Sequence, residues 1–395
     1  MAILSVNAGS STLKFSIYPV DESVVQPSVL VGSYEGLEPN GAPTLKYGFE
    51  GRLKSIPLEC ASGDPFACAL NQLKELVLTL PNIPKIQAIA HRIVHGGSLF
   101  TKSVISTPSI LNELSKLNAL APLHQPHNIE GVRAFATAFP DIPQVLCFDT
   151  AFHKTVSEIE SAFALPTEIT SEGVRRYGFH GLSYQYIIGV LLDCSKRAKG
   201  RVLMAHLGNG ASLCAALGGQ SVATTMGFSA LDGLMMGTRA GSLDAGVLLY
   251  LLDKGYTAEQ LEKLLYKKSG LLGVSGISAD MRKLRASNDP SAIKAIEIFT
   301  HRVVRESGAM IACLGGLDVI GFSGGIGEHD HQLRQAVCEK LSWLGVKLDQ
   351  DLNQRATQDE ISKISAEDSA VEVWVVPTDE GLVAARDAQA LLAQC

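Results

Sequence analysis

The chain carries one strand–turn–strand layout twice. Near the start, the aliphatic run Ile3–Val6 leads into Asn7-Ala8-Gly9-Ser10-Ser11 and then a second β-rich run, Leu13–Tyr18. Far downstream, Val202–Leu207, Gly208-Asn209-Gly210-Ala211-Ser212 and Leu213–Leu217 repeat that order, with Leu13 and Leu213 at matching places. Short β-rich runs joined by glycine and small polar residues read as hairpins. A repeat at this distance points to a duplicated domain, and 395 residues exceed what one compact core usually holds.

Between and after the hairpins, helical and strand patterns alternate. Pro65–Leu80 reads as a helix, and Ile86–Val94 and Gln144–Phe148 read as buried strands. Helical patterns follow at 256–268 and 291–314, then a strand Asp318–Phe322, a Gly-rich turn and a helix over 331–344. A strand Val371–Val376 and a final helix from about 379 close the chain. This alternation implies an α/β fold with parallel pairing in its sheets. The seam is placed just after Asp149. The final helix is expected to cross back, which gives domains of 1–149 plus about 380–395, and 150–379.

Bulk properties exclude several classes. A net charge of -6 argues against nucleic acid, whose phosphates select Lys/Arg-rich faces. A mean hydropathy of +0.16 suits a well-buried enzyme. MAILSVNAGSS has no basic n-region, so no secretory signal is read, and the apolar stretch Ala245–Leu252 is far too short for a membrane span. Cysteines 60, 68, 147, 194, 214, 313, 338 and 395 form no CxxC pair. They are expected as reduced thiols in a cytoplasmic protein.

Glycine numbers 37, against roughly 28 at average usage, and the excess gathers at strand ends. Asn7–Ser11, Gly208–Ser212 and Gly321–Gly327 (GFSGGIG) can turn successive N–H groups toward phosphate oxygens. No GxxxxGK[ST] occurs, GNGASL and GIGEHD lack the last small residue of GxGxxG, and HRIVHGG has Ile93 where a protein-kinase loop needs Asp. Arg92 leads from a buried strand into His95-Gly96-Gly97, and Arg239 sits between flexible glycines, well placed to close on an anion. Asp149 caps a strand where α/β sheets present ligands, and His180 lies in an exposing turn. Glu328-His329-Asp330-His331 and His124-Gln125-Pro126-His127 look like metal ligands but lack closed-zinc spacing. Mg²⁺ held by a few oxygens fits better.

Taken in order, VNAGSSTLKF, HRIVHGG, APLHQPHN, FDTAFH, RRYGFHG, HLGNGAS, MGTRAGSLD, SGISADMR, GGIGEH and PTDE resemble the acetate kinase family from end to end. The resemblance implies two similar actin-like, sugar-kinase-like (ribonuclease H-like) α/β domains with the active-site cleft between them. It implies an acetate kinase activity, direct in-line transfer of the ATP γ-phosphoryl to acetate giving acetyl phosphate. A propionate or short-chain acyl kinase is the alternative on the same scaffold. A homodimer is implied, with Mg²⁺ as metal and Mn²⁺ tolerated, while the charge and the short apolar runs noted above lead to no nucleic-acid or membrane partner. Arg92 and Arg239 resemble the arginines that clamp carboxylate and phosphoryl, and His180 the donor to the equatorial oxygens. Asp149 completes the catalytic set, and Asn7 and Glu380 resemble the metal-organising residues. Val94, Leu123 and Phe179 resemble the methyl pocket. Lys14, His206, Leu207, Gly208, Asn209 and Gly210 would lie along the phosphates. Asp280, Met281, Arg282, Gly325, Ile326, Gly327 and His329 would flank the nucleoside.

The chain also departs from that pattern. GFTPLEGL becomes GFSALDGL, placing Ala230 for a pocket proline and Asp232 for a glutamate. GENS becomes Gly327-Glu328-His329-Asp330, GTSH becomes Gly181-Leu182-Ser183-Tyr184, Asn-Pro-His becomes Gln125-Pro126-His127, and a terminal Glu-Glu becomes Glu380-Gly381. The charged residues of the expected chemistry are all retained.

Overall fold

The strands Ala2–Ala8, Ile86–Ile93 and Gln144–Phe148 at the centre of the first sheet are buried along almost their whole length, while Thr44–Phe49 farther out alternates core and surface side chains. The structure, a computed structural model, describes every residue except 10, 39, 40, 59, 61, 62, 122, 123, 357–359 and 395. Of Ala119, only the backbone is described. The chain divides into two compact units, Met1–Ala151 with Asp379–Cys395, and Phe152–Thr378.

In the first unit, β1 (Ala2–Ala8) and β2 (Thr12–Asp21) form an antiparallel hairpin with Ala8 opposite Leu13. β2 carries the short β3 (Val24–Val25) and continues through β4 (Leu30–Glu35), β5 (Thr44–Phe49) and β6 (Arg52–Pro57). α1 (Pro65–Thr79) follows, capped by Asp64, which accepts from the Phe66 and Ala67 N–H groups. On the far side of β1 lies β7 (Ile86–Ile93), parallel to it. The edge strand is β8 (Val104–Ile105), and between the two runs β9 (Gln144–Phe148), parallel to β7. α2 (Pro108–Ser115) and α3 (Gln125–Ala138) make the crossover.

In the second unit, the short helices α4 (Glu158–Ser161) and α5 (Thr167–Thr170) precede α6 (Gly181–Cys194). β10 (Arg201–Leu207), β11 (Ala211–Leu217) and β12 (Gln220–Thr224) form an antiparallel meander. The helices α7 (Ala245–Asp253), α8 (Ala258–Lys267), α9 (Gly270–Ser275), α10 (Met281–Arg285) and α11 (Pro290–Leu314) lead to β13 (Val319–Ser323). Then come α12 (Gly324–His329), α13 (His331–Lys340), α14 (Gln350–Arg355), β14 (Ser362–Lys363) and β15 (Glu372–Val375). α15 (Glu380–Leu392) returns to the first unit and packs on β1 and β7.

The two sheets share one order of pairings. β2-β1-β7-β9 and β11-β10-β13-β15 are each an antiparallel hairpin followed by two parallel strands. Parallel strands need crossovers, so within each sheet their C-terminal ends reach the same edge, where ligands bind in α/β sheets.

Two expectations are corrected. The GFSGGIG segment is not a loop: Gly321 belongs to β13, and the chain passes straight into α12. Gly324 takes φ +75°, and a Cβ there would lie 2.8 Å from the Leu207 carbonyl oxygen, so only glycine permits this passage. The cysteines are not all thiols either. Cys60 and Cys68 form a disulfide with Cα atoms 5.7 Å apart. The Asp64 cap turns the chain into α1, which brings the two together at a spacing that carries no motif.

The core of the first unit depends on fitted space. The Phe15 ring lies over Gly32 on the neighbouring strand β4, where a Cβ would meet Phe15 Cζ at 2.4 Å. Gly32→Ala should therefore lower the unfolding free energy by about 1–3 kcal/mol through overpacking. Urea denaturation of the two proteins checks this, and equal midpoints would show that Phe15 moves aside freely.

Candidate active site

Arg92 near the end of β7 and Asp149 just past β9 meet because those strands are parallel neighbours. Arg92 Nε lies 3.0 and 3.1 Å from the Asp149 carboxylate oxygens, and Nη2 lies 2.6 Å from Oδ2. Glu380, first residue of α15, brings Oε2 to 3.3 Å from Arg92 Nε. Asp379 steadies that helix start by accepting from the Leu382 N–H, and the Tyr18 hydroxyl donates to Asp379 at 2.6 Å. Asn7 sits on β1 beside this group, with exposed Lys14 opposite it across the hairpin. The backbone past β7 is held by two buried amides. The Val94 N–H donates to Asn128 Oδ1, and Asn128 Nδ2 donates to the Ala8 carbonyl. Gln125 takes both polar groups of His95, accepting from its N–H and donating to its carbonyl. Val94 is buried beside them. Leu123 lies outside the described residues.

Burial raises the Asp149 pKa, Arg92 opposes the rise and Glu380 adds to it, leaving the carboxyl at about 6. For Arg92, burial works against the charge, but Asp149 and Glu380 together hold its pKa above the ordinary value.

The second unit gathers a different set. His180 precedes α6 in the left-handed region, φ +58°, an uncommon place for a residue with a Cβ. Its Nδ1 lies 2.8 Å from Ser212 Oγ, and its ring lies 4.3 Å from that of His206. Arg239 Nη1 donates to the Ala230 carbonyl at 2.9 Å. Both side chains reach Gly210: a Cβ built there would be 3.2 Å from His180 Nε2 and 3.9 Å from Arg239 Nη1. A larger residue at position 210 would crowd these two side chains. Phe179 is buried, and its carbonyl accepts from His153 Nε2 at 2.9 Å. Burial lowers the His153 pKa to about 4, so this support is neutral at physiological pH.

Beyond the β10–β11 turn opens a cavity of about 870 Å³, within the range of small-molecule sites. Gly208, Asn209, Asp280, Met281, Arg282, Gly325, Ile326 and His329 line it. His206, Leu207 and Gly210 belong to the β10–β11 hairpin, and Gly327 is buried in α12.

A family model described as the acetokinase family matches residues 2–386. The chain belongs to the acetokinase family. It is 49% identical to an acetate kinase of Rhodopseudomonas palustris over 391 residues, covering 97% of this chain and 96% of that protein. An acetate kinase of Nitrobacter hamburgensis is 42% identical over 399 residues, 99% of this chain and 96% of its own. A propionate kinase of Francisella tularensis superposes with TM-score 0.90 at 36% identity, covering 98% of both chains. The Porphyromonas gingivalis acetate kinase gives 0.87 at 34%, covering 99% of both.

Some residues escaped the sequence reading. Arg285, Asp330 and Gln332 also line the cavity, and Arg285 Nε pairs with Asp330 Oδ2 at 3.0 Å. Arg285 stands one helical turn after Arg282, which was the available signal. The Glu328–His331 cluster serves the backbone. Glu328 Oε1 accepts from the Gly324 and Thr378 N–H groups, and Asp330 caps α13. Among the described residues no group of three metal-ligating side chains occurs. Asn7, Asp149 and Glu380 do offer the hard oxygens that suit Mg²⁺ alongside substrate oxygens and water.

A raised folded-state pKa makes Asp149 a stabilising influence below its unfolded value near 4 that is lost as pH rises through about 6. The unfolding free energy of wild type, less that of Asp149→Asn, should therefore fall between pH 4 and 6. Denaturation across that range tests it, and a flat or rising difference would refute the burial argument.

Proposed function

We propose that this chain transfers the γ-phosphoryl group of ATP to acetate, reversibly, by direct in-line displacement. The observation that carries the reading is the cradle over Gly210, where His180 Nε2 and Arg239 Nη1 converge next to a glycine turn that opens onto a nucleoside-sized cavity. A carboxylate acceptor is ionised at neutral pH and needs no general base. The obstacle is repulsion, about 4 kcal/mol for unit charges 4 Å apart at an effective dielectric of 20. Arg92 offsets the charge of the acceptor. Arg239 and His180 stabilise the equatorial oxygens of the transferring group, whose transition state is loose. Asn7, Asp149 and Glu380 would hold Mg²⁺, whose charge offsets that of the phosphates. Gly208–Gly210 approach the phosphates, and Asp280–Arg282 and His329 flank the nucleoside.

A propionate kinase is the second reading, favoured by Ala230, which is smaller than the proline of the family pattern it resembles. Trapping the acyl phosphate as hydroxamate, with acetate, propionate and butyrate compared by kcat/KM, tests both. Highest kcat/KM on acetate supports the first reading and highest on propionate the second. No hydroxamate from any of them sinks both. Arg239→Ala should lower kcat by roughly 10²–10³, the cost of losing one such donor. A near-native kcat would remove Arg239 from the mechanism.

We also propose a homodimer. α7 buries none of its residues, and Leu249 and Tyr250 are 64% and 58% exposed. A second copy of this chain covering that face explains an apolar surface of this kind. Light scattering should give twice the chain mass for wild type and a shift toward monomer in Leu249→Asp. A wild-type monomer at micromolar concentration would refute it.

A further inference from the structure

Tyr184 joins a chain of hydrogen bonds that ends on His180. It lies one turn into α6, its N–H bonded to the His180 carbonyl, and it is fully buried. Its hydroxyl is 2.5 Å from Ser212 Oγ, which is fully buried on β11 and 2.8 Å from His180 Nδ1.

The protons can be placed by elimination. Burial raises the Tyr184 pKa well above its ordinary value, so the phenol keeps its proton. In a site closed to water that proton needs an acceptor; the His206 backbone bond favours the phenolate and so comes from an N–H, which leaves Ser212 Oγ to accept. Ser212 therefore accepts from Tyr184 and points its own proton at His180 Nδ1. A ring nitrogen that accepts carries no hydrogen, so the other nitrogen does. That other nitrogen is Nε2, the atom that faces Gly210. A protonated, doubly donating ring would put two donors on Ser212 Oγ and leave the serine's own proton with no acceptor among its two partners here.

We propose that Tyr184 and Ser212 are positioning residues that fix His180 as the Nε2–H tautomer, so that a neutral imidazole meets the phosphoryl group as a hydrogen-bond donor. The final clause rests on the reading of His180 given above; the relay itself rests on the hydrogen-bond chain.

The experiment uses the full chain labelled with ¹⁵N-histidine, with His180 assigned by its loss in His180→Gln. Long-range ¹H–¹⁵N correlation should show a protonated Nε2 and a bare Nδ1 in wild type. In Tyr184→Phe, which keeps the ring and frees Ser212 to rotate, Nδ1–H should appear. kcat should fall by up to about tenfold, the worth of one buried hydrogen bond, with KM for acetate and ATP within about twofold. Ser212→Ala should reproduce both changes. A wild-type ring protonated at Nδ1, or an unchanged tautomer in both variants, overturns the relay whatever the rates do. A near-native kcat in His180→Gln overturns instead the assignment of His180 to the phosphoryl group and leaves the tautomer result standing.

Discussion

The first unit is organised by the contact between Arg92 and Asp149. Asp149 is almost wholly buried and Arg92 is largely so. Two charges withdrawn from water repay the cost of desolvation only with good geometry, and removing one partner typically costs about 3–5 kcal/mol. Here the geometry is a fork on a carboxylate, reinforced by Glu380 from the far end of the chain. The pair ties β7 to the segment after β9 and draws the start of α15 back onto the sheet. The same contact that closes the unit thus sets the Arg92 guanidinium near the C-terminal ends of the parallel strands.

The backbone near each candidate site faces a second demand, because strands that stop at a ligand leave polar groups without a ladder partner. Side chains from elsewhere supply those bonds. Gln125 and Asn128 do so past β7, and Glu328 does so at the start of α12. Arg334, with no exposed surface, donates to the carbonyls of Gly327, Glu328, Asn353 and Ala356 and to Asn353 Oδ1. Burial lowers its pKa to about 10, yet it remains a cation at neutral pH. These groups satisfy the backbone beside the turns in which glycine allows close approach.

Much of the fold was legible in the residues because hydrophobic periodicity is local. The helix expected at Pro65–Leu80 is α1 to within a residue, Gln144–Phe148 is β9, and the matching hairpins are the antiparallel pairs that begin each sheet. The meander β4–β6 and the cavity wall at Arg285 and Asp330 were not read, since their meaning depends on partners distant in sequence. The Gly321–Gly327 segment looked like a loop because glycine usually breaks helices. It forms a strand and a helix because Gly324 must pass the Leu207 carbonyl.

By itself the sequence determined the α/β class, the duplicated hairpin and the residues that carry charge: each follows from short-range patterning or ordered motifs. Only the tertiary structure decided which of those residues meet. Arg92 could have faced any acid; the parallel register of β7 and β9 selected Asp149, and the return of α15 added Glu380. The Cys60–Cys68 bridge and the bond from Ser212 to His180 are decided in the same way, because both join atoms whose separation along the chain carries no periodic signal.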